Sequence, residues 1–203
     1  DRSPSRGLGD VYKRQVLVVA NGEWSDSGLV ETMIETSTFK IALDGAADRF
    51  DTWDVVVGDM DSISNPEHHE PATNQNYSDL AKALEMYDVD AVVGVAGGRL
   101  DHQIAAYTSL FESNSDAILY FDGWRACRVH PDGLQIDLAI GTICSLMPFG
   151  NVNNVTCNGV EFILENEDIS TGTRGVGNRV TEEVVNISHE GGDLLFIWEA
   201  NAP

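Results

Sequence analysis

The sequence predicts an N-terminal Rossmann-like parallel α/β domain followed by a small C-terminal β-sandwich or barrel. Three observations carry this expectation. Short apolar runs rich in β-branched residues alternate with helix-length amphipathic stretches as far as residue 122. Beyond Trp124 the helical period disappears, and short β-rich segments follow one another between turn residues. The apolar runs of the first half end in glycine or aspartate, at the strand ends where a parallel sheet places its ligands.

Residues 16–20 form an apolar run closed by Asn21-Gly22, which reads as a buried strand and turn. Residues 25–36 fit a helix that starts at a Ser or Asp cap. A second strand over 39–43 runs into Asp44-Gly45-Ala46-Ala47-Asp48-Arg49, and a third over 54–57 into Gly58-Asp59-Met60-Asp61-Ser62. Residues 64–77 form a polar loop. Residues 78–87 fit a helix capped by Ser78, with Leu80, Ala83, Leu84 and Tyr87 on one face. A strand over 89–95 ends in Gly97-Gly98-Arg99, a helix covers 100–111 and a further strand covers 117–121. Seven β segments are expected after that: 125–130, 134–139, 142–147, 152–157, 159–164, 180–188 and 193–198. Pro131-Asp132-Gly133, Pro148-Phe149-Gly150, Asn158-Gly159 and Gly191-Gly192 punctuate them as turns. Domain boundaries are therefore set at 16–122 and 123–203. Residues 1–15 have no amphipathic period and resemble a translated adapter fragment, so they are expected to be non-native.

Composition narrows the function classes. The net charge is -21, and the lysines are only Lys13, Lys40 and Lys82. Such a surface repels nucleic acid and anionic membranes, so neither is expected as a partner. It fits a solvated, salt-adapted acidic protein. No apolar run approaches the roughly 20 residues that span a bilayer. Cys127, Cys144 and Cys157 are odd in number and widely spaced, which fits a reducing cytoplasm.

Several charged motifs share the edge where strands end and helices begin. Asp44 follows the second strand, Asp59 and Asp61 the third, Ser78-Asp79 opens a helix with Lys82 one turn on, and Arg99, Asp101 and His102 open the next. Transfer of a phosphorus group wants this set. Asp59, Asp61 and Asp79 could hold one or two Mg²⁺, which neutralise charge on phosphate oxygens. Lys82 and Arg99 could contact the phosphates, and helix N-termini add oriented N–H groups. Each residue also has a plainer use: Asp79 as a helix cap, Asp101-His102 against a helix dipole, Arg99 in a surface ion pair. No Gly-x-Gly-x-x-Gly or Walker-type loop is present, which disfavours a dehydrogenase or P-loop NTPase.

Taken in order, Asp44 to Arg49, Gly58 to Ser62, Ser78-Asp79-Leu80-Ala81-Lys82 and Gly97-Gly98-Arg99-Leu100-Asp101-His102 resemble the thiamine pyrophosphokinase family. In the β half, Cys144-Ser145-Leu146-Met147-Pro148-Phe149-Gly150 and Val155-Thr156-Cys157-Asn158-Gly159-Val160 are similar to stretches of its thiamine-binding half. The resemblance covers residues 16–199. It implies transfer of the pyrophosphoryl group of ATP to the hydroxyl of thiamine, with Mg²⁺, in a homodimer whose site lies at the subunit interface. It places Asp59, Asp61 and Asp79 at the metal, with Arg99 and Asp101 beside them as catalytic residues. Asp44, Gly45, Ser62, Gln75, Ser78, Lys82, Arg99 and His102 would line the ATP and phosphate site, and Gly177-Asn178 the thiamine site. Three positions depart from the family pattern. Gly177 stands for a Ser, Asn76 for an Asp and Ala106 for an Asn. The base that activates the acceptor is left open between Asp101, His102 and none. Rival readings are the same transfer to another alcohol, such as a hydroxymethylpterin, and a non-catalytic nucleotide- or thiamine-binding module.

Overall fold

The computed structural model of the chain describes residues 15–24, 27–61, 63–64 and 76–200. The chain divides into two units, one ending at Asp122 and the other beginning at Gly123.

The first unit holds β1 (Val16–Val19), α1 (Ser27–Thr36), β2 (Phe39–Leu43), β3 (Val55–Val57), α2 (Asp79–Met86), β4 (Ala91–Val93), α3 (Leu100–Glu112) and β5 (Ile118–Phe121). The strands lie in the order β3-β2-β1-β4-β5, and every neighbouring pair is parallel. The central strand explains why the apolar runs are continuous rather than alternating. Leu17, Val18 and Val19 have no exposed surface, as a parallel strand covered on both faces requires. Val30, Met33 and Ile34 of α1 share a core cluster with Leu17, Val19, Ala42, Val56 and Met60. Instead of a crossover helix between β2 and β3, a short 3-10 turn covers Asp44–Asp48. At the carboxyl ends of β1 and β4 the chain ties itself together, Gly22 N donating to Gly94 O (2.8 Å) and Glu23 N to Ala96 O (2.7 Å).

Gln15, counted with the expected non-native segment, belongs to the fold: its carbonyl accepts from Thr38 N at 3.1 Å. The rest of that segment lies outside the described residues.

The second unit is antiparallel: β6 (Trp124–Val129), β7 (Leu134–Asp137), β8 (Ile143–Asn158), β9 (Leu164–Ser170), β10 (Asn178–Arg179), β11 (Val184–Ser188) and β12 (Gly191–Glu199). Its core is built on Ala126, Val129, Val152, Val155, Leu194, Leu195 and Phe196, all 1% exposed or less. Three expectations are corrected here. Gly191-Gly192 is not a turn but opens β12. Pro148-Phe149-Gly150 is not a turn. It lies within β8, which pairs with β12 from Cys144 to Phe149 and again at Asn153, and with β9 from Asn151. Gly150, at φ 83, sits at the irregularity of the β12 pairing where β9 joins as a second partner, and its N–H donates to Thr171 Oγ1 at 2.7 Å. Residues 159–164 are not a strand either. The strand is β9, whose polar sequence Leu-Glu-Asn-Glu-Asp-Ile-Ser buries little beyond Leu164 and Ile169. The three cysteines form no disulfide and are buried in this unit. Burial raises the Cys144 thiol to about 11 and that of Cys157 to about 12, so both stay protonated. Among the described residues no helix is long and apolar enough to cross a membrane.

Candidate functional site

The first unit gathers three carboxylates at the ends of β2 and β3. One oxygen each from Asp44, Asp59 and Asp61 lies within 4.8 Å of the others. Local backbone chemistry builds this corner. β2 stops at Leu43, and Asp44 turns out of the strand at φ 42, a region that Asp tolerates better than most residues. Gly58 follows β3 and lets the two strand ends close up, since a Cβ there would stand 2.8 Å from Asp44 Cβ. Met60 at φ 67 reverses the chain between the two aspartates and buries its own side chain in the core. Asp61 N then points back at Asp59 Oδ1 (3.3 Å). Asp44 is 8% exposed, while Asp59 and Asp61 are open to solvent. Hard carboxylate oxygens so placed suit a small divalent cation.

Asp79 is not in this group of three. It opens α2, which packs on β2 and β3, and its Oδ1 takes the Lys82 ammonium at 2.8 Å. Lys82 is only 7% exposed, so the pair holds a buried cation near the start of the helix. Ser78 caps α2 as expected, accepting from Ala81 N at 3.2 Å, and its hydroxyl also meets Ser109 Oγ on α3 at 3.2 Å.

Arg99 and Asp101 form a two-pronged ion pair at the start of α3, Nε to Oδ1 at 3.1 Å and Nη2 to Oδ2 at 2.5 Å. Both are solvent-exposed. The guanidinium holds the Asp101 carboxyl down at about 2, which makes it a weak proton acceptor near neutral pH. His102 N donates to the same carboxylate at 3.1 Å. Gly45 lies buried in the 3-10 turn after Asp44. Ser62 and Gln75 fall outside the described residues.

Gly177 and Asn178 belong to the second unit. Gly177 stands at φ 76 with open space where a Cβ would be, and its N–H donates to Ser145 Oγ at 3.0 Å. Asn178 is 8% exposed and lines a cleft of about 280 Å³ with Leu146, Phe162, Ile163 and Val176. Ala106, one of the departures, falls on the buried face of α3 at 3% exposure.

Two features escaped sequence reasoning. Asp44 was expected at the phosphates, yet it joins Asp59 and Asp61; only the clash distance at Gly58 betrays the approach. Arg49 closes over Trp24, its guanidinium carbon 3.8 Å from the ring centroid, and donates to Gly22 O at 2.6 Å. No spacing rule links residues so far apart in the chain.

Family models match both units. The model for the thiamin pyrophosphokinase catalytic domain covers residues 30–121, and that for the vitamin B1 binding domain of the same family covers 133–192. No curated protein matches the chain by sequence. Among solved structures, the thiamine pyrophosphokinase of Bacillus subtilis is 20% identical, with a TM-score of 0.71 over 93% of this chain and 100% of that one. The thiamin pyrophosphokinase of Geobacillus thermodenitrificans is 18% identical at a TM-score of 0.74, covering 92% of this chain and 98% of that one. The yeast thiamin pyrophosphokinase is 16% identical at a TM-score of 0.70, covering 92% and 86%. At these identities the likeness to the solved structures is one of fold.

Proposed function

The chain belongs to the thiamin pyrophosphokinase family, and from that premise we propose how its residues divide the work of the reaction. The reaction is ATP-dependent pyrophosphorylation of thiamine. The hydroxyl oxygen of thiamine forms a bond to the β-phosphorus of ATP, the bond from that phosphorus to the α-phosphate oxygen breaks, and AMP leaves. The hydroxyl proton goes to solvent or to a base. The products are thiamine diphosphate and AMP.

The observation that carries the assignment of roles is the corner of Asp44, Asp59 and Asp61 at the strand ends of the catalytic unit. Its three carboxylates fit Mg²⁺, an oxygen-seeking ion bound through few protein carboxylates and the substrate's phosphates. A bound Mg²⁺ supplies charge neutralisation on the phosphate oxygens. Asp59 and Asp61, being exposed, face the solvent side from which the nucleotide arrives, and buried Asp44 backs them. Asp79 keeps the Lys82 ammonium in place for the phosphates. Asp101 does the same for Arg99, whose planar fork matches phosphate oxygens. Gly45, Ser78 and His102 lie beside these groups on the same loops and helix starts, where N–H groups favour anions. Ser62 and Gln75 complete the nucleotide site in this reading. Asp101 does not serve as the base, because a carboxyl held at about 2 takes up few protons at neutral pH.

The cleft beside Gly177 and Asn178 takes the thiamine rings. A homodimer with its site at the subunit interface, in a cytoplasmic setting, completes the proposal, supported by the family resemblance and by three cysteines that form no disulfide. A monomer by sedimentation would remove the dimer.

AMP formation from ATP, Mg²⁺ and thiamine tests the roles. Asp59→Asn and Asp61→Asn are expected to lose at least about a hundredfold in kcat, as removal of transition-state charge stabilisation does. Activity near wild type in both variants would refute the metal corner. AMP release with a hydroxymethylpterin and none with thiamine would refute the acceptor.

A further inference from the structure

The β unit exposes large apolar side chains in one place. Phe162 is 66% exposed, Ile163 51% and Val176 52%, and all three line the 280 Å³ cleft that Asn178 also borders. Ordinary surfaces scatter such residues singly, whereas a cluster round a concavity marks a binding surface. A cleft of this size sits near the lower end of small-ligand pockets, which run from about 300 Å³. It suits one ring system and not a whole nucleotide.

Asn178 is the polar group that a ring edge would meet, and three of the four hydrogen-bonding positions of its amide are already taken. Oδ1 accepts from Phe162 N at 3.0 Å and from Arg179 N at 2.8 Å, while Nδ2 donates to Phe162 O at 2.8 Å. A carbonyl oxygen has two lone pairs, so Oδ1 has nothing left with which to accept from an amino group. The pattern fixes the amide's orientation, because two donors can only face the oxygen. Both hydrogen-bonding groups of the Phe162 backbone close on this one side chain, across 16 residues of sequence.

We infer that Asn178 is a positioning residue, which clamps the Phe162 backbone so that the Phe162 ring and Ile163 form an apolar jaw, and that Phe162 itself holds thiamine by packing against its rings. The inference rests on the assignment of thiamine to this cleft. The aromatic face suits the occupant, because it attracts a cationic ring such as the thiazolium as well as packing with a flat one. Val176 lines the same cleft, and Gly177, next to it in the chain, stands at φ 76 with open space where a Cβ would be. One amide N–H of Asn178 remains for a ring acceptor, so packing against Phe162 supplies more of the fit than the amide does.

The test uses the full chain with ATP and Mg²⁺, thiamine being varied, and measures kcat and KM for Phe162→Ala, Asn178→Ala, their double variant and Phe162→Tyr. An aromatic contact and the area it buries correspond to about a tenfold change in KM. Phe162→Ala is expected to raise the KM for thiamine by about that factor with the KM for ATP unmoved, the signature of lost uniform binding. Phe162→Tyr keeps the ring and should restore it. Asn178→Ala should raise the same KM, and the double variant should be no worse than the worse single, because Asn178 acts through Phe162. If Asn178→Ala does not fold, the Phe162 pair alone decides: Phe162 lies on the surface and tolerates truncation. A KM indifferent to Phe162, or effects of Asn178→Ala and Phe162→Ala that multiply, overturns the inference while the thiamine reaction stands. Loss of dimer with an unchanged KM overturns it too, since a second copy would then cover the patch. Absence of thiamine turnover in the wild-type chain overturns the family-level assignment and the inference with it.

Discussion

Gly58 carries no chemistry, yet its missing side chain decides where Asp44 stands. A Cβ at this position would come within 2.8 Å of Asp44 Cβ and 3.3 Å of its Cα. Both are short, unyielding parts of a residue held at φ 42, so neither can swing aside. Gly98 and Gly177 contrast with it, having open space where a Cβ would be; there the positive φ, 64 and 76, is the reason for glycine. Gly58→Ala is therefore expected to displace Asp44 from Asp59 and Asp61 with little harm elsewhere, at an overpacking cost of about 1–3 kcal/mol. The concentration of Mg²⁺ giving half-maximal activity should rise several-fold while the circular dichroism spectrum stays native. An unchanged Mg²⁺ dependence would separate Asp44 from the metal. Met60 shows the opposite arrangement. It accepts the strain of a positive φ, on the order of 1 kcal/mol, and offsets it by burying its side chain to 6% exposure. Its conformation places the two aspartates on either side of one reversal.

The helix α2 does two jobs with one turn of sequence. Ser78 caps it and touches Ser109 of α3, tying the start of α2 to the C-terminal end of α3, while Asp79 holds the buried Lys82. These should differ in thermodynamic weight. Ser78→Ala removes a cap and is expected to cost about 1 kcal/mol. Asp79→Ala strands an ammonium whose side chain is only 8% exposed. It should cost about 2 kcal/mol or more, the penalty for an uncompensated charge reduced by the part exposure of Asp79. Urea midpoints at constant slope measure both; a larger loss for Ser78→Ala would show that Lys82 is not anchored by Asp79. α2 was legible in the sequence because its signals are local: a Ser cap, one apolar face and a charge pair three residues apart. The strand ends were legible for the same reason. β8 was not, since Pro148 and Gly150 mark a turn unless one knows that the strand runs on through them and gains a second partner. β9 was hidden because an edge segment that buries two side chains has almost no alternating pattern. The family resemblance places Asn178 at the thiamine site, whereas its hydrogen bonds to Phe162 exist only after the chain has folded back across 16 residues.

At the scale of the molecule, the family was legible because the motifs stand along the chain in the order of the family they resemble, and a parallel sheet places ligand groups at the carboxyl ends of its strands. The charge is a separate matter. At -21 the chain repels itself, and few of its 33 acids have a basic partner to meet among 12 lysines and arginines. Salt acts on this balance in two directions. It weakens attraction in ion pairs such as Arg99–Asp101 and Arg174–Glu167, and it screens repulsion among the surplus acids. Exposed pairs of this kind contribute about 0–1 kcal/mol each. The surplus acids are far more numerous, and their separations exceed the screening length of about 3 Å reached at 1 M salt, against about 10 Å at 0.1 M. Screening of repulsion should therefore win. Raising sodium chloride from 0.05 to 1 M is expected to raise the melting temperature by roughly 5 °C, equivalent to about 1–2 kcal/mol for a chain of this size. Neutralising four exposed acids of the second unit, Glu161, Glu165, Glu182 and Asp132, should shrink that increment, because it removes repulsion without touching either of these ion pairs. A melting temperature that stays flat or falls between the two salt concentrations would mean that self-repulsion does not limit stability, and that the acidic surface serves hydration instead.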